Sequence, residues 1–148
     1  MNTRQSQIES FERLSNALKL LIGLDVEEDT LKIEELESQK NYLNEIYLSA
    51  LSPLCTDIKP YEQIILNSLD AEYNFIFARD VKGADIIAHG NAVIESGDAM
   101  YNITYPAYIE GADIMAHRQA VIDINDPKFD VNLFDAIFNK EVDQLMKK

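Results

Sequence analysis

The sequence predicts an all-α fold: three tandem helix-turn-helix repeats over residues 56–139, preceded by an N-terminal pair of amphipathic helices. Three observations carry this reading. The string Ala84-Asp85-Ile86-Ile87-Ala88-His89 returns 28 residues later as Ala112-Asp113-Ile114-Met115-Ala116-His117. Apolar residues within each copy recur at helical spacing. Short polar residues and glycines stand where helices start and stop.

The N-terminal pair comes first. Phe11, Leu14, Leu18 and Leu21 recur every three or four residues, which predicts an amphipathic helix over 4–22 that ends at Gly23. An acidic connection follows over 25–30. A second helix is expected over 31–51, with Ile33, Leu36, Leu43, Ile46, Tyr47 and Ala50 on one side, Lys40 interrupting the stripe and Pro53 stopping it. Two roles stand open for this segment, 1–55: a cap over the exposed apolar face of the first repeat, or a homodimer contact through residues 4–51.

The repeat region, 56–148, is built on copies 56–83, 84–111 and 112–139. Ala92-Val93-Ile94 matches Ala120-Val121-Ile122, and one period upstream Ile64-Ile65-Leu66 takes that place. Tyr73, Tyr101 and Phe129 align, as do Gly83, Gly111 and Asn139. Each copy reads as two helices. Asp57, Asp85 and Asp113 are expected to cap the first helix, and Asp70, Asp98 and Asp126 the second, because a short side-chain oxygen accepts the free N–H groups of a first turn. First helices are expected to stop near Gly97 and Asn125, and second helices at Gly83 or Gly111 in a left-handed cap, with Asn139 as the substitute. The last helix has an alternative, which is to run on through Lys140 to Lys148. Pro106 removes a backbone donor inside the middle copy, so a kink or early break is expected near Tyr105.

Composition narrows the function. A net charge of −13 over 148 residues argues against direct contact with nucleic-acid phosphates or anionic membranes and favours a protein partner with a basic surface, although solubility alone also accounts for it. No run approaches a membrane span, and the polar start Met1–Gln7 points to the cytoplasm, or the host cytoplasm if the chain is viral. The lone Cys55, inside an apolar stretch, is expected to be buried packing. There is no phosphate loop, no Gly-x-Ser-x-Gly elbow and no zinc-ribbon cysteine pair, so no enzyme and no cofactor is expected.

Two constellations remain. Asp85-x-x-x-His89 and Asp113-x-x-x-His117 put a carboxylate and an imidazole on one helix face in consecutive copies, which makes His89 and His117 weak metal candidates against the simpler reading of two duplicated caps. The second lies in the middle copy. No Lys or Arg occurs between Lys82 and Arg118, while Asp85, Glu95, Asp98, Glu110 and Asp113 do, and Tyr101, Tyr105 and Tyr108 form a stripe at helical spacing. Core packing explains most such stripes, but exposed tyrosines flanked by acid also make partner-binding anchors.

The string from Ala71 to Ile86, with its Tyr73, Phe77-Ala78, Asp80-Val81 and Gly83-Ala84-Asp85-Ile86, resembles short α-helical tandem repeats of about 28 residues in bacterial and phage proteins. The likeness covers 56–139; the second junction departs from it, with Tyr105-Pro106-Ala107-Tyr108 in place of the Phe-Ala core. No single activity is tied to these repeats. The resemblance implies a binding scaffold in a microbial or viral setting and carries over no catalytic residue. The expected function is therefore an acidic, non-enzymatic protein-binding module, most simply an inhibitor of the phage counter-defence, immunity or antitoxin kind. The alternative is an assembly subunit that oligomerises through the N-terminal helices.

Overall fold

The computed structural model describes residues 27–147, together with Glu9 and Arg13. Of the helix expected over 4–22, all but Glu9 and Arg13 lies outside the described residues. Eight α-helices are present among those described, with no strand: α1 Glu27–Leu51, α2 Lys59–Ser68, α3 Ala71–Asp80, α4 Ile86–Ser96, α5 Ala99–Tyr108, α6 Ile114–Ile124, α7 Val131–Ile137 and α8 Asn139–Met146.

Residues 27–30 are helical, within the long helix α1, and not a connection. The chain divides into two compact units at Tyr42 and Leu43, ahead of the boundary at residue 56 that the repeat period suggests. The C-terminal half of α1 belongs with the repeats: Leu43 and Ala50 are buried against Ile65, Tyr73, Phe77 and Val81. The Tyr47 hydroxyl donates to the Asp80 carboxylate, to which Arg79 also donates at 2.7 and 2.9 Å. Burial and that carboxylate push the Tyr47 phenol up to about 12.

Four of the six expected aspartates cap a helix start. Asp70, Asp85, Asp98 and Asp113 accept from the backbone of Tyr73, Ala88, Tyr101 and Ala116 at 2.9 to 3.0 Å. Asp57 departs from this, because the residue three ahead is Pro60, which has no N–H to give. Its carboxylate accepts from Lys59 instead, and α2 begins with Ile58 as its cap residue. Asp126 also fails as a cap. It accepts from Lys128, and the second helix of the third copy starts four residues later, capped by Asp130 through Leu133 at 3.0 Å.

First helices end in left-handed residues one period apart: Leu69, Gly97 and Asn125. Gly83 and Gly111 are left-handed too, a few residues past the ends of α3 and α5. Asn139 is not. It opens α8 after a break at Phe138, and the chain stays helical to Met146. Helix α5 does not break at Tyr105 but runs to Tyr108, the same ten residues as α3, because Pro106 lies in the last turn and deletes a single ladder bond.

The core repeats as the caps do. Ile65, Val93 and Val121 are fully buried at steps of 28, and so are Phe77 and Tyr105. The third copy slips: Phe134, Phe138 and Val142 fill the last cluster with Ile103 and Val121, while Ile137 is exposed. Cys55 is half-buried in the turn before α2 and not packed in a core.

Candidate functional site

The middle copy is a helical hairpin, α4 and α5, joined at Gly97 and Asp98. Antiparallel helices put residues far apart in sequence at one end, and the Tyr105 hydroxyl donating to the Ile86 carbonyl ties the end of α5 to the start of α4. Asp85, Tyr108, Glu110 and Asp113 therefore share one end of the hairpin, while Glu95 and Asp98 share the other. The eight residues singled out from sequence do not form one patch.

Their roles also differ. Asp85, Asp98 and Asp113 are committed as caps. Glu95 and Glu110 are exposed and form no ion pair with any described residue. The tyrosine stripe splits three ways around the buried ring of Phe75, whose centroid lies 5.9 Å from Tyr101, 6.4 Å from Tyr105 and 6.0 Å from Tyr108. Tyr105 is fully buried, with its phenol pushed upward by burial; Tyr101 is half-buried; Tyr108 is 70% exposed. The Arg79 guanidinium lies 5.3 Å from the Phe75 centroid, a cation over the same ring.

Between the copies lie two buried polar pairs that sequence reasoning missed. Asn74 donates its amide to the Ile65 and Asp70 carbonyls at 3.0 and 2.8 Å. Its Oδ1 is thereby left facing Nδ1 of His89 at 2.8 Å, so His89 donates from Nδ1. One period on, Asn102 donates to the Val93 and Asp98 carbonyls and accepts from Nδ1 of His117 at 2.8 Å. Each Asn on a second helix thus holds the His on the first helix of the next copy. Each ring also stacks on an aromatic of the preceding copy, His89 on Phe77 at 5.0 Å and His117 on Tyr105 at 5.1 Å.

The other ring nitrogen distinguishes the two junctions. Nε2 of His89 meets Glu62 Oε2 at 3.0 Å, and the same oxygen accepts the Asp85 backbone N–H at 2.8 Å. With Nδ1 already a donor, the contact of Nε2 with that carboxylate is a hydrogen bond when one further proton lies between them. Burial pulls His89 below its ordinary pKa and Glu62 opposes the shift. At the second junction Gly90 stands where Glu62 stands in the first, 28 residues on. Burial lowers His117 to about 4, with only Asp113 opposing.

The histidines proposed as metal candidates thus serve separate junctions, and Nε2 of His89 is engaged by Glu62. Among the described residues no group of three or more His, Cys, Asp or Glu is arranged to hold a metal ion. The signal for the Asn–His pairs was present in the sequence: Asn74 and Asn102 are one period apart on otherwise buried helix faces, and each precedes its His by fifteen residues. No described helix is long and apolar enough to cross a membrane. Compared with family models, curated proteins and solved structures, the chain matches none.

Proposed function

We propose that this chain is a non-enzymatic protein-binding module that acts by occupying a basic surface of a partner. Phage counter-defence, immunity proteins and antitoxins are the settings that suit such an inhibitor, in the cytoplasm or a host cytoplasm. The observation that carries the reading is the end of the middle hairpin. There Tyr108, 70% exposed, sits beside Glu110, which forms no ion pair with a described residue, with Asp85 and Asp113 on the adjoining helix starts and no Lys or Arg between Lys82 and Arg118. An exposed tyrosine supplies apolar area and a hydroxyl, and the carboxylates steer a basic partner. Glu62 extends the acidic character toward α2, where it sits beside the Asp85 amide.

Affinity capture from lysate with mass spectrometry identifies the partner, and charge reversal then tests the face. Glu110→Lys weakens binding and flattens its salt dependence, while Glu95→Lys, at the other end of the hairpin, has a smaller effect. Equal affinity of Glu110→Lys and the native chain at low salt would rule the reading out.

One observation favours the alternative of an assembly subunit. Leu36, Tyr42, Leu48 and Leu51 on α1 are all exposed. Light scattering distinguishes the two: a salt-insensitive oligomer supports assembly, and a monomer that gains mass only with a basic partner supports inhibition.

A further inference from the structure

The two junctions pose the same question and only one contains its answer. In the first, a carboxylate oxygen from Glu62 fits between the Nε2 of a buried histidine and the backbone N–H of the aspartate four residues before it, at 3.0 and 2.8 Å. In the second, His117 and Asp113 repeat the histidine and the N–H, but the place of Glu62 falls to Gly90. Neither Nε2 of His117 nor the Asp113 N–H bonds to any described residue, although His117 is only 1% exposed.

Space is left there. A partly enclosed notch of about 30 Å³ is lined by Ile86, Ile87, Gly90, Asn91, Ile94, Asp113 and His117. About 10–15 Å³ suffices for one water, so the notch holds roughly two waters or one three-atom group. Glycine keeps it open: a Cβ at Gly90 would stand 3.2 Å from Nε2 of His117 and 3.3 Å from the Tyr105 ring.

We propose that this notch is a binding site for one small carboxylate group, held by Nε2 of His117 and the backbone N–H of Asp113 as Glu62 is held at the preceding junction. The tautomer is set for it. Asn102 Oδ1 accepts from Nδ1–H, so Nε2 offers a lone pair to a proton brought in with the ligand. A bare anion is disfavoured by Asp113 and by the net charge of −13. Binding therefore takes up one proton from solvent, which lies between the bound carboxylate and Nε2 of His117. The titratable groups at the ring are few: Asp113 on α6 and Tyr105 stacked from α5, while α4 lines the notch with Gly90, Asn91 and isoleucines, none of which titrates.

Formate is the probe, titrated into the isotope-labelled full chain with chloride as the control anion. Saturable shifts are expected at the Asp113 amide and the His117 ring nitrogens, and none at Asp85 and His89, where Glu62 already occupies the site. Affinity should strengthen by roughly tenfold per pH unit between pH 7 and 5, as uptake of one proton requires. Gly90→Ala, which fills the notch, should abolish the shifts. Glu62→Ala should open the first junction, so that formate then moves Asp85 and His89 as well. Testing N-acetylglutamate amide beside formate separates the sources: binding of both assigns side-chain carboxylates of a partner, and binding of formate alone assigns free short acids. No saturable change at Asp113, the same change with chloride, or undiminished binding in Gly90→Ala would each overturn the proposal.

Discussion

Replacing Asn102 with leucine isolates what one junction contributes. The substitution keeps the branched shape and removes three bonds: amide donations to the Val93 and Asp98 carbonyls at 3.2 and 2.9 Å, and acceptance from Nδ1 of His117 at 2.8 Å. The two carbonyls are not orphaned. Val93 still accepts from the Ser96 hydroxyl, and Asp98 from the backbone N–H of residue 102. The Nδ1–H of His117 is orphaned, inside a ring that is almost wholly buried. One unsatisfied buried donor costs about 1–3 kcal/mol, and each of the two other lost bonds roughly 0.5–1.5 kcal/mol. The expected loss is about 3 kcal/mol, on the order of 10–20 °C in melting temperature for a unit near 100 residues. Urea denaturation followed by far-ultraviolet circular dichroism measures it. The double variant Asn102→Leu with His117→Phe supplies the control. Phenylalanine keeps a ring on Tyr105, has no N–H to orphan, and meets the notch rather than backbone at its far edge. It should recover about 1–2 kcal/mol of the loss, since removing both partners of a buried bond costs less than removing one. A single-variant loss below about 1 kcal/mol, or a double variant no more stable than the single, would refute the account of the junction.

Acid should loosen the same contacts. The folded pKa of His117 is depressed to about 4 from an ordinary 6.5, so the unfolded chain binds the extra proton first; the stabilising difference is complete above pH 6.5 and is lost as pH falls toward 4. The slope approaches ~1.4 kcal/mol per pH unit at most, and His89 adds to it in the same direction; a His117→Phe chain with an undiminished slope in urea titrations between pH 6.5 and 4.5 would contradict this. Leu69 occupies the left-handed region at φ 52°, where a branched apolar residue is held at a cost of about 1 kcal/mol. Leu69→Asn, the residue that ends the third copy's first helix, should raise stability by about 0.5–1 kcal/mol, and a loss on chemical denaturation would mean that the partly exposed leucine packs better than it strains.

What the sequence alone determined was local and periodic. The period of 28 stands in the string itself, and the all-α class, four of six aspartate caps and the left-handed ends at Gly97 and Asn125 each depend on residues within a few positions of one another. Even the failure of Asp57 is local, because Pro60 stands where the cap needs an N–H. The tertiary structure decided the rest. Asp126 and Asp130 are both competent caps, and the choice of Asp130 goes with the cluster of Phe129, Phe134, Phe138 and Val142 packed against Ile103 and Val121. The tyrosine stripe looks uniform at spacings of four and three, yet Tyr105 is core and Tyr108 is surface, because only packing against α4 tells one side of α5 from the other. The acidic set divided for a related reason: a hairpin sends Glu95 and Glu110 to opposite ends. The Asn–His junctions, the Glu62 bridge and the notch at Gly90 required neighbouring copies to be stacked, since they join groups fifteen to twenty-seven residues apart that meet only when the repeats close on one another.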